Sequence, residues 1–266
     1  MLSIIALFLL LPATLSAQTP ILDEVREIVT SDSGTVQKWV HPIKLMVMYD
    51  DQPFDTEVNA IVENFNKIDG FPGITEVEFF DLNQIDGDLY GQTIFRKFHF
   101  DRDDVPLVMG AVIFENDSDT VYTQADIYVI LADIEVGVLF GALAAPINKA
   151  VLSRKFVSGP YSSACYSNVI ADDDRLETGL VFINADNSAE QVTQCLYGRI
   201  MRTLGLQKDV ENSEALTYSD PFEPRLELTP DFNLLSALYS ENVAVGDPPN
   251  AVVAEFARLT GQGEDE

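Results

Sequence analysis

Residues 178–206 constrain the fold more than any other part of the chain, because they encode a strand followed at once by a well-delimited helix. The run TGLVFIN, residues 178–184, is rich in apolar and β-branched residues and predicts a buried strand. Ser188 and Gln191 fit a capping box, which predicts that a helix begins directly after Ser188. Gly205 is placed to end this helix in a left-handed conformation. Apolar residues that recur every four positions predict the core face of the helix: Val192, Leu196, Ile200 and Leu204.

Periodic patterns elsewhere predict an α+β domain with a mixed sheet, packed helices and a helical carboxyl-terminal part. Strands come first and helices later, with at most one helix between strands, whereas a doubly wound domain would alternate them. No repeat or flexible linker interrupts the chain, so we expect residues 36–260 to form one domain. The predicted strands are Val36 to Tyr49 with a break at Pro42, Ile74 to Phe80, Val105 to Phe114 and Ile127 to Ala132. The predicted helices are Pro230 to Ser240, Pro249 to Leu259, and Glu57 to Ile68 with Val58, Ile61, Val62 and Phe65 on its buried face.

The amino terminus predicts export. Residues 1–17, MLSIIALFLLLPATLSA, form a short apolar run ending in small residues, which is typical of a signal peptide cleaved after Ala17. An uncleaved anchor is the alternative, but the run is too short to span a bilayer comfortably. We therefore expect a periplasmic or extracellular protein. Residues 18–35 would form an N-terminal segment, and the acidic residues 261–266 a disordered tail.

A second apolar run, residues 136–147, carries no charge in the sequence VGVLFGALAAPI. It is too short to cross a bilayer, so no transmembrane span is predicted in the mature chain. We expect a buried helix at this position. An exposed hydrophobic loop that docks a partner is the alternative.

The charge of the chain excludes one class of partner. Its 16 basic and 43 acidic residues give a net charge of −27, and such a field repels phosphate backbones. We therefore expect no nucleic acid partner. The acidic surface is interpreted as a solvated one, with cation binding as the alternative.

Two cysteines, Cys165 and Cys195, are present in this chain. An even number of cysteines in an exported protein favours one disulfide. The alternative is a pair of buried, unpaired thiols.

The sequence CLYGRIMRTLGL, residues 195–206, has the outline of a zinc metallopeptidase helix without its ligands. An H-E-x-x-H motif often precedes a Leu-Gly-Leu turn, and counting back from that turn places Gly198, Arg199 and Arg202 at the motif positions. Guanidinium groups stay protonated and offer a metal no lone pair. The chain has two histidines, His41 and His99, and neither has a partner at helical spacing. We therefore predict no metal, no cofactor and no zinc peptidase activity.

Arg199 and Arg202 lie one helical turn apart, beside the predicted core face. They could bind an anionic group of a ligand. They could also pair with carboxylates of the protein itself, which the excess of acidic residues favours. Asp172, Asp173 and Asp174 are interpreted as an exposed turn.

With these residues laid out, the chain resembles a bacterial family known as domain of unknown function 2927. The resemblance begins at KWVHPIKLMV, residues 38–47, and is strongest after Cys165, through TGLVFIN, the second Cys, the LGL turn, TYSDPF and LTPDFNLLSALYSENVAVGDPP. It implies a zincin-like fold and a Cys165–Cys195 bridge that ties the helix to the preceding segment. Many members of this family carry Glu where this chain has Gly198 and Arg199, and Asp-Pro where it has Ser240-Glu241.

Two hypotheses for the function remain. The first is a non-catalytic, exported protein that holds a peptide or protein of the cell envelope, in a zincin-like cleft or on residues 136–147. The second is a hydrolase that works without metal, through carboxylates that the sequence does not single out. The residues favour the first hypothesis, since no catalytic motif is present to support the second.

Overall fold

A computed structural model describes residues 20–84, 112–115, 120–123, 125–132, 165–208 and 229–262. The helices are α1 (Pro20–Val29), α2 (Asp55–Phe65), α3 (Ala189–Thr203), α4 (Thr229–Tyr239) and α5 (Asn250–Thr260), and a short 3-10 turn covers Leu82–Gln84. The strands are β1 (Ile43–Tyr49), β2 (Ile74–Asp81), β3 (Val112–Glu115), β4 (Thr120–Thr123), β5 (Ile127–Ala132), β6 (Cys165–Asp172) and β7 (Arg175–Asn184).

The main sheet is mixed, with the strand order β2-β1-β5-β7-β6. Its first four strands are parallel to one another, and β6 pairs antiparallel with β7. Strands β3 and β4 form a separate antiparallel pair. This arrangement confirms the predicted α+β class with a mixed sheet.

The central strands are buried on both faces, which explains their almost continuous apolar sequences. On one face, Val47 and Val129 join a core that includes the predicted face of α2, Val58, Ile61, Val62 and Phe65. On the other face, Met46, Ile130 and Phe182 are buried as well. The Phe65 ring stacks on Tyr197 of α3 at 5.5 Å between ring centroids, which joins α2 to α3 above the sheet.

Helix α1 had no counterpart among the predicted elements. Its apolar residues Val25, Ile28 and Val29 are fully buried in the same core as the sheet. Arg26 Nε donates a hydrogen bond of 2.8 Å to Asn250 Oδ1, which fixes α1 against the first turn of α5. The N-terminal segment therefore contributes to the core of the domain from residue 25 onward.

The strand predicted from Val36 to Tyr49 begins only at Ile43, so its first part was wrong. Val36 exchanges backbone hydrogen bonds with the loop of Gly246 and Asp247. Trp39 is buried, and its backbone N–H donates to Tyr239 Oη of α4. The alternation of these residues thus reflects burial against loops and helices. Pro42 marks the actual boundary, because it has no N–H to donate to a sheet.

Strand β6 was not predicted, and it forms a hairpin with β7. The turn between them contains Asp173 and Asp174, both with positive φ, 45° and 62°. Asp173 and Asp174 confirm the predicted turn, whereas Asp172 is the last residue of β6. Asp174 has a further role, since its Oδ1 accepts hydrogen bonds from Thr35 Oγ1 at 2.6 Å and Ser33 Oγ at 3.0 Å.

The other predicted elements are confirmed within one to three residues at most of their ends, among them α2, β2, β5, β7, α4 and α5. The predictions for residues 1–17, 105–111, 136–147, 263–266 and His99 lie outside the described residues. Within the described ranges, no helix has both the length and the apolar character needed to cross a membrane.

Candidate functional site

Helix α3 begins as its sequence predicts. Gln191 N donates to Ser188 Oγ at 3.3 Å, and Ser188 N donates to Gln191 Oε1 at 3.1 Å. This reciprocal pair is the predicted capping box, and it satisfies two amides that the first turn leaves without helical partners. The helix then runs back over β7, so that Thr203 lies against Gly179 in the middle of the strand.

The end of α3 is held by two aromatic side chains from distant segments. Trp39 Nε1 donates to the Thr203 carbonyl oxygen at 2.8 Å, and Tyr239 Oη donates to the Leu204 carbonyl oxygen at 2.8 Å. Gly205 follows with a φ of 113°, as the predicted stop requires. These contacts satisfy carbonyl groups that a helix end otherwise leaves unpaired.

A disulfide joins Cys165, the first residue of β6, to Cys195 in the middle of α3. The two side chains are 3% and 1% exposed, and their Cα atoms lie 5.9 Å apart. The predicted disulfide is therefore confirmed, and it attaches α3 to an outer strand of the described sheet. Closing a loop of this size contributes roughly 3 to 4 kcal/mol to stability in the chain-entropy model.

The three positions that the sequence analysis compared with a zinc motif follow Cys195 on α3. Gly198 is buried, and Arg199 and Arg202 are partly buried. Arg199 Nε donates to Cys165 Sγ at 3.4 Å, and Arg202 Nη2 donates to the Gln207 carbonyl oxygen at 2.6 Å. Spacings of four and three residues put Cys195, Arg199 and Arg202 on one side of the helix. The predicted core stripe, Val192, Leu196, Ile200 and Leu204, is fully buried in the core.

The charges of both arginines affect the pKa of Tyr166. Burial raises the pKa of its phenol above the usual value of 10.0, while the positive charges of Arg202 and Arg199 act in the opposite direction. Both guanidinium groups are thus within electrostatic reach of this strand residue. We name Cys165, Cys195, Tyr166, Arg199 and Arg202 the disulfide–arginine cluster.

Sequence reasoning missed Tyr166 and its neighbour Ser167, because it assigned no strand before Asp172. Ser167 Oγ is buried and has no hydrogen-bond partner among the described residues. Cys165, Ser167 and Val169 share one face of β6, but its sequence has no strict alternation of apolar and polar residues that would have indicated a strand.

His41 lies at the other end of the sheet, near the amino-terminal ends of β1 and β5. Its Nε2 is 3.4 Å from Asp126 Oδ1, and the ring is 5.6 Å from that of Trp39 in an edge arrangement. Asp126 Oδ2 also accepts the Lys44 backbone N–H at 2.6 Å, which joins the two strands. The structure therefore places His41 in contacts between segments, away from the disulfide.

The chemistry open to the disulfide–arginine cluster follows from its groups. Fixed guanidinium groups bind carboxylates or phosphates and stabilise thiolates, but they do not bind cationic metals. Within the described part of the chain, no group of three or more His, Cys, Asp or Glu residues could hold a metal ion. Whether Arg199 and Arg202 also pair with carboxylates of the protein stays a prediction.

The comparisons agree with the resemblance seen in the sequence. Residues 140–256 match a family model described as Protein of unknown function (DUF2927). This segment includes the disulfide–arginine cluster, the whole of α3 and α4, and most of α5. No match was found among curated proteins, and none among solved structures. The match covers less than half of the chain, and it supports the resemblance to this family of unknown function over residues 140–256.

Proposed function

We propose that this protein is an exported, zincin-like domain that performs no zinc-dependent catalysis and acts as a binding module of the cell envelope. The observation that carries the proposal is the state of the three motif positions. Gly198 supplies no ligand, Arg199 donates to a disulfide sulfur, and Arg202 donates to a backbone carbonyl. A zinc ion at this helix would face two permanent positive charges.

The fold supports the zincin-like part of this proposal by analogy. A helix follows the last parallel strand, runs back over the sheet and stops at a Leu-Gly-Leu turn, as an H-E-x-x-H helix does in such peptidases. Strand β6, which pairs with β7 at one edge of the described sheet, is antiparallel to the other strands. An analogy of fold does not by itself assign an activity, so the proposed role depends on the residues of the site.

Two features support export. The apolar residues 1–17 end in small residues, as a cleavable signal peptide does. The Cys165–Cys195 disulfide is of a kind that persists in oxidising compartments. Cell fractionation with amino-terminal sequencing would test this, and we expect the exported form to begin at Gln18.

The absence of zinc chemistry is tested with the purified protein. We expect elemental analysis to find no stoichiometric zinc, and a broad peptidase screen to find no hydrolysis that a chelator abolishes. Stoichiometric zinc, or hydrolysis that stops on chelation, would contradict the proposal. Hydrolysis that survives chelation would instead favour the metal-independent hydrolase.

The binding role is tested at the arginines. We expect Arg199→Gln together with Arg202→Gln to abolish binding of an envelope peptide or protein, without loss of the folded state. Arg175→Gln removes the same charge from the far end of the β6–β7 hairpin, so it serves as a matched control and should bind normally. Equal binding by both variants would exclude these arginines as ligand contacts.

A further inference from the structure

The electrostatic surroundings of the disulfide are unusual for this chain. The protein has 16 basic residues against 43 acidic ones, yet two of the 16 lie on the helix face that carries Cys195. Arg199 Nε donates to Cys165 Sγ at 3.4 Å, so a full positive charge contacts one sulfur of the bond. A disulfide that only stabilises the fold would gain little stability from such a contact, since a disulfide sulfur is neutral and a weak acceptor.

The same contact gains strength when the bond is reduced. A guanidinium group attracts a thiolate far more than it attracts a neutral disulfide sulfur, because hydrogen bonds between ionised partners are the strong ones. Positive groups beside a cysteine therefore favour its thiolate form. A disulfide whose reduced form is stabilised in this way has a higher reduction potential and is reduced more easily.

The geometry distinguishes the two sulfurs. Arg199 contacts Cys165 Sγ, and Arg202 adds a second positive charge one helical turn further along. The phenol of Tyr166, the next residue after Cys165, feels both charges, as the opposing effects on its pKa indicate. The charge of Arg199 therefore acts at the Cys165 end of the bond, where burial limits screening by solvent.

We propose that the Cys165–Cys195 bond is a redox-responsive disulfide, which a dithiol reductant opens because Arg199 stabilises the Cys165 thiolate that results. Because both sulfurs are buried, the attack requires local opening at β6, the outer strand of the described sheet. A thiolate of the reductant then attacks Cys195 Sγ, breaks the disulfide and releases Cys165 as the leaving thiolate. The second thiol of the reductant then attacks the mixed disulfide and releases Cys195, which takes up a proton. The reductant ends as a disulfide after giving two electrons, and of its two protons one stays on Cys195 while the other passes to solvent.

The reduced protein is expected to stay folded, because α3 is held independently of the disulfide. Its first turn keeps the capping box of Ser188 and Gln191, and its last turn keeps the donors Trp39 and Tyr239. Reduction would release only the attachment of the first residue of β6 to the middle of the helix. The outer strand of the described sheet is then the element whose position depends on the redox state.

The test is a redox titration of the purified protein in mixtures of reduced and oxidised dithiothreitol, begun from both the oxidised and the reduced protein. Mass shifts after alkylation of free thiols give the reduced fraction. We expect Arg199→Gln to require about tenfold more reducing mixtures for half reduction, which corresponds to about 30 mV for a two-electron couple. Arg199→Lys keeps the charge and should move the midpoint less.

Arg175→Gln is the matched control, because Arg175 pairs with Asp172, seven residues and thus about 23 Å from Cys165 along the hairpin at about 3.3 Å per residue. Its midpoint should equal that of the wild-type protein. In the reduced proteins, ultraviolet thiolate absorbance should persist to lower pH in the wild type than in Arg199→Gln.

Three results would overturn the proposal: equal midpoints for Arg199→Gln and Arg175→Gln, titrations that fail to converge from the two starting states, or loss of the circular dichroism of the folded state on reduction. The proposal does not depend on the proposed function, since it requires only the disulfide and the arginine beside it.

Discussion

Gly205, which ends α3, is a position where a single added methyl group should disturb the fold strongly. Its φ is 113°, and a Cβ atom built on it would lie 2.5 Å from the Gln37 carbonyl oxygen and 3.1 Å from Leu238 Cδ2. The nearer atom belongs to the backbone, so it cannot turn aside as the end of a flexible side chain could. Gly205→Ala must therefore displace the segment that carries Gln37 or the end of the helix.

The cost of Gly205→Ala has two parts. A non-glycine residue with positive φ is strained by roughly 1 to 2 kcal/mol, and forcing extra atoms into a packed region costs roughly 1 to 3 kcal/mol more. The lower entropy of the unfolded chain that contains Ala offsets roughly 0.4 to 1 kcal/mol of this. We expect the free energy of unfolding to fall by about 2 to 4 kcal/mol.

Gly34→Ala separates the two parts. Gly34 has a φ of 81°, but a Cβ atom there would meet no atom within 4 Å, so only the backbone strain applies. We expect this control to lose about 1 kcal/mol or less after the entropy offset. Urea unfolding followed by circular dichroism measures both variants. If Gly205→Ala loses no more stability than Gly34→Ala, the close approach of Gln37 to the helix end has no energetic weight and the reasoning is wrong.

Two carboxylates give further predictions. Glu255 has a side chain only 7% exposed, and hydrogen bonds led by Arg258 lower its pKa from 4.5 to about 2. The stabilisation is therefore complete above pH 4.5 and lost as the pH falls toward 2. Because Arg258 is 62% exposed, solvent screening reduces this stabilisation to about 1 to 2 kcal/mol. Urea unfolding should show that the free energies of unfolding of the wild type and Glu255→Gln converge as the pH falls through this range. A difference that stays constant with pH would contradict the prediction. Asp174→Ala should reduce the stability measured by thermal unfolding by about 1 to 2 kcal/mol more than Asp173→Ala does. Both residues have positive φ, but only Asp174 is shown accepting a hydrogen bond from the Thr35 hydroxyl. Equal losses of stability in the two variants would refute this reasoning.

The helix α3 could be predicted closely because its signals are local. The capping box, the apolar stripe and the terminal glycine all lie within the segment that they define, and the observed bounds are Ala189–Thr203. The same holds for α4 and α5, whose ends differ from the prediction by one residue. Local chemistry decides these elements, so one sequence suffices to find them.

The elements that were missed depend on distant partners. Strand β6 has mostly half-buried residues and no strict alternation of apolar and polar side chains, so it is recognisable only through its pairing with β7. The segment that contains Val36 and Trp39 has the apolar pattern of a strand, but both residues contact loops and helices that lie far along the chain. The periodicity of apolar residues predicts which side chains are buried, but not which element packs against them.

The candidate site divides in the same way. The sequence alone places Gly198, Arg199 and Arg202 on the helix and favours a disulfide between the two cysteines. It could not predict the contact of Arg199 with Cys165 Sγ, because that contact requires β6 to lie beside α3. The redox-responsive disulfide inferred from this contact is thus a property of the tertiary structure.

Three of the sequence motifs that carry the family resemblance meet at the end of α3, namely KWVHPIKLMV, the LGL turn and LTPDFNLLSALYSENVAVGDPP. Trp39 of KWVHPIKLMV donates to the Thr203 carbonyl, and Tyr239 of LTPDFNLLSALYSENVAVGDPP donates to the Leu204 carbonyl. Both carbonyl groups directly precede the turn at Gly205. The last carbonyl groups of a buried helix need such partners whether or not the helix binds a metal. Residues that satisfy this need therefore provide evidence about the fold and not about a metal site. The motifs therefore support the position of the helix in this chain, and the function must be sought in the arginines and the disulfide that lie on its side.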